Sequence, residues 1–374
     1  MPVTPALIDS WLDMHRQACS SQEACARELP RQGPLWIYGA GRFGRELASG
    51  LQQQGLSVAG FIDQRAQGPV NGLPCIPPAQ DSWHGHCVLL GIHNPGADLT
   101  PVLALLRPHA RDVLTPPQWI AACPSLSHFW LAPASRHAPT AQDLAGAVAA
   151  CADAESIEVM TELLAWRWLG QPMTRHAAHP DPYQPADVPY LHGRVRMIDA
   201  GAYTGDTWAS FRPRLDAYLG LEPDPHNHRQ LLETLLDAGA QGAAALPLAA
   251  WHQREILRFT SDDAAGHVTA DGFPVQAMPL DDWQAWRPTL IKMDIEGAEP
   301  EALQGARALL AGGCALAISA YHHPTHLWTL PPLMQALAGE ALAHRRVWLR
   351  CHSHNGFDAV YYVEQCDGQR QTPH

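Results

Sequence analysis

Residues 194–207, which read RVRMIDAGAYTGDT, constrain the fold more than any other segment of the chain. The apolar residues Val195, Met197 and Ile198 predict a buried strand that leads into Asp199. Gly201 and Gly205 follow and predict a tight turn before a helix, because glycine lets backbone bend sharply and approach a ligand closely. A strand that ends in a glycine turn is how open α/β sheets form a nucleotide crevice. The segment therefore predicts an α/β fold with a ligand site at this turn.

Length and composition limit the classes of protein that fit. A chain of 374 residues with 46% hydrophobic and 17% charged residues predicts a folded protein of two or three domains. The formal charge of −12, without a basic cluster, argues against a nucleic-acid partner. The amino terminus has no basic region before its apolar stretch, and no run approaches the roughly 20 apolar residues of a membrane helix. Nine scattered cysteines indicate free thiols, so we expect a cytoplasmic protein without membrane insertion, and a homo-oligomer is compatible with the sequence.

A second glycine turn predicts a Rossmann-like unit over residues 31–117. Gly39, Gly41 and Gly44 form a G-x-G-x-x-G fingerprint after the strand LWIY, and Asp63 ends the next strand, VAGFID. Backbone N–H groups at the helix start could hold a phosphate, with the aspartate on a ribose. NAD or a sugar nucleotide would suit such a site. The alternative is that these glycines only permit close packing of helix against strand.

The remainder of the amino-terminal half predicts helices. Residues 1–30 are interpreted as an amino-terminal helical segment, and residues 118–190 as a helical connector. Helices are predicted over 140–152 and 154–170, where apolar side chains recur at helical spacing. The stretch 176–183 is interrupted by prolines and could form either a lid over the crevice or a plain linker.

Residues 191–374 predict a methyltransferase-type sheet of seven strands that ends in an antiparallel hairpin. The predicted strands cover 195–199, 217–221, 243–248, 289–293, 315–319, 346–350 and 358–363. Two extra strands are predicted in an insertion between the third and fourth, at REILRFTS and VQAMPL. The whole chain is therefore predicted to contain two Rossmann-like units joined by a helical connector.

Acidic and aromatic residues at the predicted strand ends define a ligand site. Glu222 lies seventeen residues after Gly205, where its carboxylate could accept both hydroxyls of a ribose. Trp251 could stack on an adenine ring or belong to the core. Asp224 and Asn227 are interpreted as caps of the helix that follows. Glu222 together with the glycine turn resembles the S-adenosylmethionine site of Rossmann-like methyltransferases.

The segment 289–303, TLIKMDIEGAEPEAL, carries the chemistry. Asp294, Glu296 and Glu299 would repel one another unless a divalent cation, a hydroxyl proton or helix N–H groups satisfied them. Lys292 lies two positions before Asp294 in the same strand, hence on the same face. We predict Asp294 at the methyl-transfer face, with Lys292 orienting it. His322, at the crevice edge, is the candidate base as a neutral imidazole.

At this point the second unit resembles the FkbM family of S-adenosylmethionine-dependent methyltransferases. The matching segments are, in order, IDAGAYTGDT, LEPDPHN, MPLDDW, IKMDIEGAE and ISAYHHPTHLW. Many members have a glutamate-type acid after the fifth strand, where this chain has residues 319–322, and this difference leaves the identity of the base open. The resemblance implies O-methylation of a hydroxyl on a sugar, glycan or polyketide-like product. The predicted cofactor-binding residues are Asp199, Gly201, Ala202, Tyr203, Thr204, Gly205, Glu222, Pro223, Asp224, Asn227, Trp251 and Asp294.

Two other readings of function stay open at the level of sequence. One is a scaffold whose two units hold nucleotides without chemistry, although such a protein would need neither Lys292 nor Asp294 and Glu296. The other is an NAD-dependent sugar-modifying enzyme that uses the first unit.

Overall fold

The structure is a computed structural model that describes residues 4–127, 131–174, 181–261, 266–340 and 345–366. Within these residues the strands form three sheets, of five, four and seven strands. None of the helices in the described part of the chain is both long and apolar enough to cross a bilayer. All nine cysteines are free thiols, as their scattered positions predict.

The first unit is a parallel five-stranded sheet in the order β3-β2-β1-β4-β5. The chain builds outward from β1 to β3 and then returns to the other side of β1 with β4. Ligands of open α/β sheets bind where the strand order reverses in this way. Its elements are β1 Leu35–Tyr38, α2 Arg42–Gln53, β2 Val58–Ile62, β3 Cys75–Ile76, β4 Cys87–Leu90, α3 Thr100–Leu106 and β5 Asp112–Leu114.

A layer of helices lies between the five-stranded sheet and the seven-stranded sheet. Helix α1 is amphipathic and buries Ile8, Trp11 and Ala18, which join the same core cluster as Val159 and Met160 of the connector. The amino-terminal helix therefore packs with the connector. The helices are α1 Pro5–Glu28, α4 Pro116–Trp119, α5 Ala141–Ala150 and α6 Ala154–Leu169.

The second unit is a seven-stranded sheet in the order β15-β16-β14-β13-β6-β7-β8. Strand β16 runs antiparallel to both β14 and β15, which confirms the predicted terminal hairpin. Its elements are β6 Val195–Ala200, α7 Asp206–Phe211, β7 Leu215–Leu221, α8 Pro225–Asp237, β8 Ala243–Leu246, β13 Leu290–Met293, α9 Glu299–Gln304, α10 Arg307–Ala311, β14 Ala315–Ser319, α11 His326–Ala338, β15 Val347–Cys351 and β16 Ala359–Val363.

The insertion forms the third sheet, in the order β11-β10-β12-β9. Its strands are β9 Leu248–Ala250, β10 Glu255–Thr260, β11 His267–Val268 and β12 Phe273–Met278. The sequence predicts one strand over 243–248, but the structure divides this region at Pro247. Proline lacks the N–H that a ladder needs, so β8 ends before it and β9 pairs with β12 instead.

Candidate active site

A cavity of about 390 Å³ opens at the carboxyl ends of β6, β7 and β13. Its size lies within the range of small-molecule sites. The predicted site residues that line it are Gly201, Tyr203, Glu222, Pro223, Asp224, Asn227, Lys292, Asp294, Glu296 and His322. Residues from the glycine turn, the second strand and the KMDIEG segment thus meet in one cleft.

The glycine turn is fixed by the strand beside it. Gly201 has φ +77°, and a Cβ at this position would lie 1.9 Å from the backbone oxygen of Asp294. Lys292 donates to the Gly201 carbonyl at 2.6 Å, and its ammonium lies 3.0 Å from the carboxylate of Asp199. The absence of a side chain at Gly201 therefore permits close packing against the end of β13. The sequence alone indicated close approach to a ligand as the reason for this glycine instead. Lys292 supports this turn directly, and its charge is paired with Asp199.

Glu222 presents a buried carboxylate to the cavity. Its Oε2 accepts from the N–H of Tyr203 at 2.9 Å, and its Oε1 accepts from the N–H of Asp224 at 2.9 Å. Burial raises the pKa of Glu222 from 4.5 to about 7, although these two N–H donors act in the opposite direction. Each oxygen keeps acceptor capacity, as a ribose diol requires.

Asp294 is held by three side chains. Tyr183 donates to Oδ2 at 2.8 Å, Tyr321 donates to Oδ1 at 3.0 Å, and Nε2 of His322 lies 3.2 Å from Oδ1. Burial alone would raise the pKa of Asp294, but the charges of Lys292 and His322 and the Tyr183 hydroxyl together lower it. The side chain is 24% exposed, so an ionised carboxylate faces the cavity.

His322 is the group that satisfies the clustered acids. Its Nδ1 lies 2.6 Å from Oε1 of Glu299, and its Nε2 lies 3.6 Å from Glu296. Burial would lower the pKa of His322, but the carboxylates of Glu299 and Glu296 outweigh it and raise the pKa well above 6.5. The imidazole is therefore an imidazolium, and the predicted neutral base at this position is wrong.

The structure does not support the divalent cation that the sequence left open at Asp294, Glu296 and Glu299. Among the described residues, no group of three or more His, Cys, Asp or Glu side chains is arranged to hold a metal ion. Asp294 and Glu296 face the cavity, but Glu299 is fully buried and accepts from the N–H of Ile295 at 3.1 Å. Protein donors, rather than a divalent cation, thus balance these carboxylates.

Several predicted cofactor-binding residues do not line the cavity. Asp199 is fully buried behind Lys292, where it also accepts from the Tyr218 hydroxyl at 2.8 Å. Trp251 packs against the third sheet and donates to Glu255 at 2.7 Å, so its predicted stacking on adenine is not supported by its position. The others outside the cavity lining are Ala202, Thr204 and Gly205.

The helix after Glu222 has a single cap. Asp224 accepts from the N–H groups of His226 and Asn227 at 2.8 and 3.0 Å, which makes it the N-cap of α8. Asn227 lies in the first turn instead and lines the cavity. The capping interpretation is therefore correct for Asp224 and wrong for Asn227.

Two tyrosines were not assigned to the site from sequence. Tyr183 belongs to the stretch 176–183 that was interpreted as a lid or linker, and residues 176–180 of that stretch lie outside the described residues. The ring of Tyr183 lies 5.2 Å from the ammonium of Lys292. Tyr321 precedes His322, and its position just after β14 was the only indication of its role. Tyr183 has no comparable indication in the sequence.

The first unit has its own cleft of about 490 Å³. Gly39, Gly41 and Asp63 line it, as the fingerprint predicts. Gly44 does not line it, and a Cβ at Gly44 would lie 1.9 Å from the backbone oxygen of Gly39. Close packing thus accounts for Gly44, and φ +102° accounts for Gly39, so only Gly41 and Asp63 are left for the cleft to explain.

Comparison with known proteins identifies the second unit. A family model described as Methyltransferase FkbM domain matches residues 199–359. The structure of Methyltransferase FkbM from Methylobacillus flagellatus KT is similar at TM-score 0.75 and 21% identity, over 96% of this chain and 99% of that one. The two-unit fold is therefore shared along its whole length.

Two further structures are similar over about half of the chain. Aeropyrum pernix fibrillarin with natively bound S-adenosyl-L-methionine has a TM-score of 0.30 at 12% identity, covering 48% of this chain and 70% of its own. Precorrin-6y C5,15-methyltransferase from Geobacter metallireducens GS-15 has a TM-score of 0.28 at 17% identity, covering 46% and 80%. No curated protein matches the chain. The match over residues 199–359 identifies a methyltransferase FkbM domain in the second unit, and the protein is therefore a methyltransferase.

Proposed function

We propose that the protein transfers a methyl group to a hydroxyl of a small-molecule acceptor, which is a sugar, a glycan or a polyketide-like product. The observation that carries this proposal is the ionised Asp294 carboxylate in the same cavity as Glu222. An ionised carboxylate accepts hydrogen bonds and donates none. It therefore suits an acceptor that offers an O–H group.

The residues of the cavity fit S-adenosylmethionine. Glu222 would accept the ribose hydroxyls, and the turn that contains Gly201 and Tyr203 would border the rest of the molecule. When bound, the cofactor supplies an electrophilic methyl group. The predicted role of Trp251 as adenine platform is not retained, and apolar residues of β9 line the cavity in its place.

Asp294 orients the acceptor oxygen and takes up its proton. Because the pKa of Asp294 is lowered, it is a weak base, so positioning supplies most of the acceleration. Tyr183 contacts Oδ2 of Asp294, whereas Tyr321 and His322 contact its Oδ1, and these contacts fix the direction of the free lone pairs. Lys292 donates to the carbonyl of Gly201 in the glycine turn, and its charge lowers the pKa of Asp294 without a direct contact to that carboxylate.

A screen of acceptors tests the proposal. Purified protein is incubated with S-adenosylmethionine and sugars, glycans, polyketides and amines, and mass spectrometry records gain of one methyl group. We expect gain on a hydroxyl compound. Gain on amines alone would overturn the assignment of the acceptor class.

Asp294→Asn tests the role of the carboxylate. Loss of general-base and positioning effects should lower turnover about 100-fold or more, with binding of S-adenosylhomocysteine kept within about threefold. Asp237→Asn, at an exposed position on α8, serves as the control. Unchanged turnover in the Asp294 variant would remove this residue from the mechanism.

A further inference from the structure

The cleft of the first unit repeats the hydrogen-bonding pattern of the methyl-transfer cavity. Oδ2 of Asp63 accepts from the N–H of Ala40 in the glycine turn at 2.8 Å, and its Oδ1 accepts from the N–H of Arg65 at 2.8 Å. Glu222 makes the same two bonds, to the glycine turn of its unit and to the residue two positions later. In both units an acid at the end of the second strand is thus fixed beside the turn after the first strand.

Gly41 has no structural reason to be glycine. Its φ of −67° is open to any residue, and a Cβ there would meet nothing within 4 Å. By contrast, Gly39 has φ +102° and Gly44 packs against backbone. Since Gly41 lines the cleft, a side chain would occupy space that lies open beside the turn.

The charge of this cleft suits an anion. Its charged lining residues are Arg42, Arg65 and Asp63, which gives an excess of basic groups in a chain of net charge −12. Arg42 is exposed and forms a surface pair with Glu46 at 2.9 Å, so its guanidinium can turn toward a ligand at little cost. A carboxylate that accepts hydroxyls beside guanidinium groups that attract phosphate matches the two ends of a nucleotide.

We propose that this cleft is a binding site for a nucleoside diphosphate. The ribose hydroxyls donate to Asp63, and the diphosphate lies over Gly41 beside Arg42 and Arg65. The site occurs where the strand order reverses between β1 and β4, which is the position expected for such a ligand. It is independent of the proposed methyl acceptor and of the S-adenosylmethionine site.

The two clefts lie next to each other, and this decides the order in which ligands must be added. The segment after β4 supplies His93 and Asn94 to the first cleft, whereas Pro95 lines the methyl-transfer cavity. A nucleotide added to the protein could therefore enter either cleft. S-adenosylhomocysteine must fill the second before binding to the first is measured.

Calorimetry of the full chain in saturating S-adenosylhomocysteine tests the site. ADP, UDP, UDP-glucose and NAD are titrated separately, and these arms distinguish the base and the group attached to the diphosphate. We expect one-to-one binding of at least one of them at micromolar strength. Failure of S-adenosylhomocysteine itself to bind would count against the proposed function and not against this site, which is then titrated without it.

Variants test whether the heat measured by calorimetry comes from nucleotide binding in this cleft. Gly41→Val should weaken nucleotide binding about tenfold or more while the thermal midpoint stays within about 3 °C, because a Cβ at this position meets nothing within 4 Å. Asp63→Asn should weaken it as well. Ser49→Val, on the same helix but outside the cleft, should leave binding unchanged. Absence of binding by all four nucleotides, or binding that neither cleft variant alters, overturns the proposal.

Discussion

Glu222 allows the strongest quantitative test of the site, because its charge is costly to bury. The residue is 6% exposed, and burial raises the pKa of its carboxyl from 4.5 to about 7. That difference corresponds to about 3 kcal/mol in favour of the protonated form. The folded protein therefore holds this proton more tightly than the unfolded chain does. The resulting contribution to the free energy of unfolding is complete below pH 4.5 and is lost as the pH rises through about 7.

Glu222→Gln removes the titration. The difference in free energy of unfolding, variant minus wild type, should therefore rise by about 3 kcal/mol between pH 4 and pH 8. A constant offset from the new amide cancels in this comparison across pH. Urea unfolding followed by tryptophan fluorescence measures it, with Glu233→Gln at an exposed position of α8 as control. A difference that stays flat within about 0.5 kcal/mol would refute the reasoning from burial.

The cofactor should act on the same carboxylate. Hydroxyl groups that donate to the ionised form stabilise it, so saturating S-adenosylhomocysteine should reduce the pH dependence of the wild type. Loss of hydrogen bonds to a charged group costs about 1.5–3 kcal/mol, so Glu222→Gln should bind this product about 10- to 150-fold more weakly. Unchanged affinity would show that Glu222 does not bind the ribose hydroxyls. The pKa shift that results from its burial would not be affected by that result.

Three further variants test other parts of the cavity. Lys292→Met leaves Asp199 buried without its cation and should cost about 3–5 kcal/mol in thermal unfolding, and adding Asp199→Asn should restore stability if the pair is the cause. Tyr183→Phe removes one donor from Asp294, so the pKa of that carboxyl should rise and the acidic limb of the turnover–pH profile should move up by about one pH unit; an unmoved limb contradicts the role of Tyr183. Burial raises the pKa of Asp358 from 3.8 to about 6, so Asp358→Asn should be more stable than wild type above pH 6, by up to about 3 kcal/mol in urea unfolding, and no gain there would count against burial as the cause.

The sheets could be predicted from sequence because their strands are short apolar runs buried on both faces. Strand β14 has the predicted bounds, and β6 differs from its prediction by one residue. The exception at Pro247 has a local cause that the sequence contains, since proline seldom continues a ladder. Pairing of β9 with β12 depends instead on the arrangement of the insertion, which apolar periodicity does not specify.

Site residues were predictable where their position at a strand end places them in the site. They were not predictable where their role depends on side chains from distant parts of the chain. Gly201, Glu222 and Asp294 follow strands, so their convergence comes from the topology of the sheet. The protonation of His322 depends on Glu299, whose carboxylate approaches within 2.6 Å only in the folded chain. Tyr183 reaches Asp294 from the connector, 111 residues away. Such contacts leave no local pattern to read.

The two clefts differ in charge although their backbones are alike. This difference determines the charge of the ligand that each cleft favours. The methyl-transfer cavity is lined by six acidic residues against Lys292 and the imidazolium of His322. A negative cavity favours a cationic ligand. S-adenosylmethionine carries a sulfonium charge that its product lacks, so the same field that draws in the cofactor favours release after transfer. The first cleft, with Arg42 and Arg65 against Asp63, has the opposite preference. Added salt should therefore weaken nucleotide binding to the first unit and narrow the affinity gap between cofactor and product in the second.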